Sequence, residues 1–466
     1  MRTLSLLSLF SSSAFAGSIT APGVIGGLES GAATSNPAAT HYNPGALGAA
    51  EGVDIMFDLQ AAFAHAEVTT TRNDGIDPNT GEPYALAVAD AVVPVFFLGG
   101  TWKVNDQFAL GIGATDSWVG GGDYSASEPT ENGPFVGHQR YAGVKTTILT
   151  LAVTPAASFT VTDGVHIGAG YSFVYDMIDA VQSSDPLGLE STAMDSVLSL
   201  SASGSHNTWN AGILIDRFDG FSLGLSYAAP GTFDTEGTAA VSVPAALSTN
   251  PGDNPDGLTV DDALSTVQLD LPAVIRAGLN IEATETLTIG FGYELQKWGD
   301  CCSGPDGDIA IGLTSADGDA VGPDDGVILS IGTEQMSPRR LQNSSNYILT
   351  AQYQASDDLS VVARGMYNTN AVQDFAVSAT NLDFTSYGGG LSANYQVNDT
   401  LGLSLAYTRF FPLERVITNS AWDVRDENSG DYVDDRFSPK SPYKAGTNGV
   451  YNAVNNVIGI RISASL

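Results

Sequence analysis

Basic residues are scarce in this chain, where 18 Lys and Arg stand against 52 Asp and Glu, a formal charge of −34. A surface so acidic repels nucleic acid and anionic lipid, and no basic patch offsets it, which excludes nucleic-acid partners. Cysteine is almost missing too. Cys301 and Cys302 are the only two, and they are adjacent, a spacing that suits no metal site and leaves them only each other to pair with. The five His are scattered without HExxH or any other metal spacing, so neither metal nor cofactor is expected. Gly220-Phe221-Ser222-Leu223-Gly224 does match a hydrolase pattern, but it opens a strand at a turn instead of forming a strand-to-helix elbow. An enzyme is not expected. Also absent, beyond Gly17, is any apolar run of about eighteen residues, which excludes a transmembrane helix there.

The first sixteen residues read as a secretory signal peptide: Arg2 is the positive n-region, Leu4 to Phe10 the apolar core, and Ala14-Phe15-Ala16 the cleavage site before Gly17. From Val53 onward the dominant pattern is alternation. Leu287, Ile289, Phe291, Tyr293 and Leu295 alternate with Thr288, Gly290, Gly292 and Glu294. Val165 to Tyr175, Tyr387 to Tyr395, Leu401 to Tyr407 and Ile458 to Leu466 do the same. A period of two means strands with one apolar face. The other face is Gly, Ser, Thr, Asn and Gln, which suits a crowded or watery lumen better than the charged outside of a soluble sandwich.

Connections sort into two kinds. Six are tight and carry turn chemistry, at 105–107, 162–164, 218–220, 283–285, 356–358 and 398–400. Seven are long, over 69–91, 119–145, 182–207, 229–266, 299–345, 368–383 and 412–448. Strict alternation of short and long predicts an all-β fold: a transmembrane antiparallel β-barrel of about 14 strands in the outer membrane, spanning 53–466, with periplasmic turns and extracellular loops. Pro155 falls inside a strand and predicts a bulge or kink. The acids gather in the long loops, as at Asp253, Asp256, Asp261 and Asp262, where they form a solvated face or a divalent-cation bridge to lipopolysaccharide.

Residues 17–52 lack alternation and are rich in Gly, Ala, Ser and Asn, so they form either a plug inside the barrel or a disordered leader. Here the chain resembles the FadL-like transporters of long-chain fatty acids and hydrocarbons. Tyr42-Asn43-Pro44-Gly45-Ala46-Leu47 is similar to the NPA motif of that family's N-terminal hatch. Leu151 to Tyr171, Leu271 to Trp298 and Tyr347 to Tyr367 resemble its strand pairs. The resemblance implies a fourteen-stranded barrel with a hatch at 17–52, gated around Asn43, Pro44, Gly45 and Ala46, and passive uptake of hydrophobic molecules, foremost long-chain fatty acids. Where relatives carry a P-x-G-like kink after the third strand, this chain has Ser117-Trp118-Val119-Gly120-Gly121-Gly122, whose three glycines are the candidate wall interruption.

Alternation turns Arg276 and Arg364 inward, where either receives a fatty carboxylate or pairs with a structural acid. In the third long loop Leu187, Met194, Val197, Leu198 and Leu200 fall near helical spacing, a stripe that either collects greasy substrate or packs on another loop. The partners expected are hydrophobic small molecules, outer-membrane lipid and lipopolysaccharide, and the protein is expected to be a monomer. The competing functions are a general diffusion porin for small polar solutes and a structural or adhesive barrel.

Overall fold

The computed structural model describes residues 31–33, 35–70, 87–124, 140, 143–184, 194–303, 309–328, 334–337, 339–378, 381–418 and 447–466. The expected signal peptide at 1–16, residues 17–30 and Leu187 lie outside the described residues.

All named strands join one antiparallel sheet of nineteen segments. Six are unbroken wall strands: β1 (Val53–Thr70), β2 (Ala87–Lys103), β3 (Phe108–Asp123), β4 (Lys145–Thr162), β5 (Val165–Ser184) and β6 (Ser196–Phe218). The seventh wall strand is β7 (Phe221–Ala228) continued by β8 (Gly231–Val243), both paired with β6. The eighth is β9 (Leu258–Leu271) continued by β10 (Val274–Thr284). Pro230 and Pro272 stand at these two breaks, because a proline cannot donate to the ladder. The ninth joins β11 (Leu287–Gln296) to β12 (Ile309–Thr314), and the tenth joins β13 (Glu334–Ser337) to β14 (Ser344–Ser356). β15 (Leu359–Asn368), β16 (Ser386–Gln396), β17 (Leu401–Pro412) with short β18 (Arg415–Ile417), and β19 (Gly449–Ser465) complete a closed barrel of fourteen wall strands.

Closure runs from Asp54↔Ser465 to Thr70↔Gly449, so first and last strands pair along almost their whole length. Arg461 fastens the seam, donating to both carboxylate oxygens of Asp58 at 2.6 and 3.0 Å, with Asp58 fully buried. The outward face is apolar and open: Leu349, Leu391 and Leu405 are 58%, 62% and 61% exposed. Water would penalise such a continuous belt, whereas bilayer hydrocarbon favours it, with backbone groups paired between neighbouring strands of the closed sheet. Tyr293, Tyr347, Tyr367 and Tyr387 lie side by side on neighbouring strands with centroids 5.1, 6.2 and 5.0 Å apart, as an interfacial aromatic girdle requires. No helix among the described residues is long and apolar enough to cross a membrane.

Tight turns fall where the turn chemistry predicts, but most of the long connections are shorter than expected. β8 and the first part of β9 lie inside the expected loop 229–266, and β12 and β13 inside 299–345. Their inward residues, including Phe233, Val241, Val267, Ile309 and Ile311, are buried in an apolar cluster at the loop end of the barrel. On β8 and β9 outward residues stay exposed and include the acids Asp234, Glu236, Asp261 and Asp262, which read as loop in the sequence. The helical reading of Val197, Leu198 and Leu200 is corrected: all three belong to β6, and Leu198 and Leu200 share its buried face at a period of two. Met194 lies in the turn just before that strand. Pro155 produces no bulge. The β4–β5 ladder skips Thr154 and Pro155 between Val153↔Phe173 and Ala156↔Gly170, with the register unchanged. The bulge sits instead on neighbouring β3, between Asp116 and Trp118. Cys301 and Cys302 are joined as a disulfide.

Candidate functional site

Residues 31–33 and 35–50 pack against the inward face of the wall. Ala39–Tyr42 form one helical turn, α1, and Pro44–Ala49 a 3-10 turn. Asn43 joins them: its Oδ1 accepts from Gly45 N at 3.1 Å, while its Nδ2 donates to Ala32 O at 2.6 Å and to Ile213 O on β6 at 3.0 Å. Only a primary amide supplies donors and an acceptor in that arrangement. The carbonyls of so irregular a segment need partners when buried, and wall side chains provide them. Asn210 Nδ2 donates to Thr40 O and His41 O at 2.9 and 3.1 Å, Ser226 Oγ to Tyr42 O at 2.5 Å, and Ser158 Oγ to Gly45 O at 3.0 Å. Lys103 Nζ donates to Gly48 O. Two wall glycines permit this approach. A Cβ on Gly212 would stand 2.1 Å from Asn43 Oδ1, and one on Gly224 1.8 Å from Ala32 O.

A cavity lies against this segment, enclosing about 1330 Å³ of empty space, part of it continuous with solvent. His41, Arg276, Glu294 and Asn210 form its polar side, and Val93, Trp118, Val119, Val174, Leu271 and Val274 contribute apolar walls. Arg276 on β10 points inward as expected, and Glu294 faces it in register from β11. Arg276 Nε donates to Glu294 Oε2 at 2.6 Å, its Nη1 donates to His41 O at 3.4 Å, and its guanidinium lies 5.6 Å from the Tyr42 ring centre. Glu294 Oε1 accepts from Gln296 Nε2 at 2.8 Å and Asn346 Nδ2 at 3.2 Å. His41 is held down to about 3, first by burial and then by the adjacent Arg276 charge, with Glu294 partly opposing them. At neutral pH its imidazole is therefore uncharged.

One side of the cavity reaches the wall where two strands part. β2 and β3 pair only from Lys103↔Ala109 to Phe97↔Thr115, although β3 continues to Asp123. The bulge at Ser117 turns β3 away from β2, and above it β3 remains paired with β4 alone. Gly120, Gly121 and Gly122 do not break the β4 ladder, since they pair with Ile148, Thr147 and Thr146, but they edge the gap facing β2. Side chains finish the ladder at its last rung: Thr115 Oγ1 donates to Phe96 O at 2.9 Å, and Phe96 N donates to Asp116 Oδ1 at 3.0 Å.

Arg364 also faces inward and is buried, but it is not among the cavity-lining residues; its Nη2 donates to Ser392 Oγ at 3.4 Å. Leu198 is packed in the apolar cluster of the loop end and does not line the cavity either. Of the expected site residues, Arg276 lines the cavity, the 43–46 segment docks on the inner wall through Asn43 and Gly45, and Gly120 to Gly122 edge the wall gap. Sequence reasoning missed Glu294, His41, Asn210 and Asp116. Glu294 had a visible signal, being the one charge on the Gly- and Thr-lined face of its strand.

A closed lipid-exposed barrel with an internal cavity and an incomplete rung in its wall defines an outer-membrane channel. A family model described as outer membrane protein transport protein (OMPP1/FadL/TodX) matches residues 9–445, and the chain belongs to that family. It is a transport protein of the outer membrane and not an enzyme. No curated protein matches the sequence. Among solved structures it is similar to a Pseudomonas aeruginosa FadL homologue, with TM-score 0.67 and 17% identity over 94% of this chain and 96% of that one. The Pseudomonas putida toluene transporter TodX gives 0.62 and 17% over 94% and 96%. The Ralstonia pickettii toluene transporter TbuX gives 0.58 and 16% over 93% and 96%. Identities this low establish the shared fold.

Proposed function

We propose that the protein passes uncharged hydrophobic molecules from the cell exterior into the cavity and releases them sideways, between β2 and β3, into the outer membrane. The observation that carries this is the continuity of the cavity with the place where the β2–β3 ladder ends, since Val93, Asp116, Trp118 and Val119 from both edges line it. An apolar solute that leaves there avoids crossing water, so burial in lipid draws it outward without any energy source. Residues 31–50 act in this reading as the gate toward the periplasm, with Asn43 as its fastening. A general porin is disfavoured by the apolar lining and by a segment hydrogen-bonded to the inner wall.

Long-chain fatty acids are the second reading, and Arg276 on the cavity wall favours it. That guanidinium is already bonded to Glu294, however, so a carboxylate would have to compete with a bond of 2.6 Å. A neutral molecule meets no such competition.

The test places cysteines at Val93 and Val119 in a background where Cys301 and Cys302 are Ser. A cleavable bifunctional thiol reagent then bridges the gap. Transfer of a hydrophobic fluorophore into proteoliposomes should fall with bridging and recover on cleavage. Unchanged transfer through fully bridged protein would refute sideways release.

A further inference from the structure

Arg409 takes an outward position on β17, between Tyr407 and Phe411, and its side chain is exposed. Phe411 pairs with Tyr387, the last of the girdle tyrosines, so Arg409 is the next outward residue below that girdle, within the apolar belt. Its guanidinium lies 5.3 Å from the Phe411 ring centre and so reaches up toward the loop end, as a long cation at the edge of hydrocarbon does. No carboxylate among the described residues pairs with it. In register on the two adjoining strands stand Asn456 of β19 and Gly389 of β16. Asn456 is a second donor. Tyr407 Oη donates to its Oδ1 at 2.7 Å, which leaves the Nδ2 hydrogens as the group presented beside Arg409. No described group accepts from that Nδ2. A cation and an amide donor without an acceptor are costly against hydrocarbon, and the cost is relieved by an anion that arrives from the lipid side.

Tyr407 also joins these donors to an apolar groove. Its ring, with Val361, Leu391, Leu405 and Ile458, lines a groove of about 670 Å³ of empty space on the outside of the wall. These residues lie on β15, β16, β17 and β19, on the periplasmic side of the row that contains Arg409. Beside Arg409 the wall is low, since a Cβ added to Gly389, or to its partner Gly365 on β15, would meet nothing within 4 Å. Donors toward the loop end, with an apolar groove running down from them, match a lipid of the outer leaflet with its head up and a chain below. The rest of the protein is strongly acidic and repels anionic headgroups, which makes this donor pair a defined place for one to dock.

We propose that Arg409 and Asn456 Nδ2 bind the phosphate of an outer-leaflet lipid, such as the lipid A of lipopolysaccharide, with one acyl chain lying in the groove below. A phosphate presents several charged oxygens, so the guanidinium and the amide can each take one. The site is on the outside of the wall and does not depend on what the cavity carries.

The test is native mass spectrometry of the full-length protein in detergent, titrated with bisphosphorylated lipid A and with the same lipid after enzymatic removal of its phosphates. Wild type should bind the phosphorylated lipid about tenfold or more tighter, as a charge-assisted bond predicts. R409Q should reduce that ratio to about threefold or less and leave the affinity for the dephosphorylated lipid unchanged. A393W, which fills the groove, should weaken both lipids alike and preserve the ratio. Heat-modifiable migration checks that each variant is folded, and the wild-type ratio needs no variant at all. Equal affinity of wild type for the two lipids, or a ratio unchanged in R409Q, overturns the proposal. Displacement of lipid A by millimolar inorganic phosphate overturns it in favour of a soluble-anion site. Displacement by an equal concentration of hexadecanoate overturns it in favour of a carboxylate site. Unchanged binding of both lipids to A393W overturns the groove as the seat of the chain.

Discussion

Replacing Glu294 by Gln should turn the cavity into a receptor for carboxylates. Gln keeps the shape of Glu and still accepts from Gln296 and Asn346 through its carbonyl oxygen, which stands where Oε1 does. It removes the charge that faces Arg276 at 2.6 Å. Both side chains are largely buried, at 7% and 14% exposure, so the guanidinium is left with no counter-charge in a poorly solvated site. Breaking a buried pair in this way costs on the order of 3–5 kcal/mol, and the opening to the cavity puts this variant toward the lower end. A ligand carboxylate that reaches Arg276 restores the missing charge. A charge-assisted bond contributes about 1.5–3 kcal/mol, or roughly 10- to 150-fold in affinity. Hexadecanoate and hexadecanol should be compared by competition against one fluorescent ligand. In wild type the alcohol should bind at least as well as the acid. In E294Q the ratio should swing toward the acid by about tenfold or more, and hexadecanoate alone should raise the unfolding midpoint of the variant. An acid-to-alcohol ratio that stays at the wild-type value would mean that Arg276 is out of reach of any ligand.

Arg461→Leu should strand Asp58 at the barrel seam and lower stability by about 3–5 kcal/mol, measured as urea unfolding in detergent, while replacing Asp58 as well should recover most of the loss. Equal loss in single and double variants would show that the pair does not hold the seam. Docking of residues 31–50 should weaken in acid. His41 has a folded value near 3, below its ordinary 6.5, so its contribution is complete above about pH 6.5 and declines as the pH falls toward 3, by about 1.4 kcal/mol per unit. Protection factors of the amides in residues 43–48, taken relative to the intrinsic rate at each pH, should therefore fall between pH 7 and 5, and in H41Q they should be flat across that range. Gly224→Val places a side chain where Ala32 O lies 1.8 Å from the first added carbon, so the segment must shift. Ion conductance in planar bilayers should rise with the barrel still heat-modifiable; unchanged conductance would mean that residues 31–50 do not close the lumen.

The transmembrane part of the fold was legible because lipid imposes one rule on every strand. Leu287 to Leu295 and Leu401 to Tyr407 alternate cleanly, since one face meets hydrocarbon and the other a lumen of small polar groups. Above the membrane that rule lapses. β8 and β9 keep their alternation and bury Phe233 and Val267, but their outward faces carry Asp234, Glu236, Asp261 and Asp262 in place of apolar residues, so their sequence resembles loop. Leu198 and Leu200 illustrate the resulting error. Two apolar residues separated by one fit a strand face, but together with Val197 and Met194 they also fit a helical stripe. Pro155 errs in the opposite sense: its missing donor is absorbed by a gap in the β4–β5 ladder, and no extra residue is needed.

The site was half legible, and register explains which half. Alternation alone turns Arg276 inward, and the tight turn before Leu287 makes β11 its neighbour. Counted simply from the rung Thr284↔Leu287, Arg276 would meet Leu295, an outward residue, which alternation forbids. The turn must therefore hide a shift of one, leaving Glu294 or Gln296 opposite Arg276, and the structure has that shift between Glu282 and Thr284, with Glu294 as the partner. Either candidate is polar, so a paired guanidinium was within reach of the sequence even where its exact partner was not. No comparable route leads to His41 or Asp116. His41 arrives from a segment with no periodicity, placed by bonds to Asn210, Ser226 and Ser158 on three strands. Asp116 acquires its role only because the next residue, Ser117, is the extra one in a bulge that parts β3 from β2. Chemistry held by a hairpin register can be counted out from the turn, whereas chemistry held by an irregular segment or a bulge depends on how the closed wall packs.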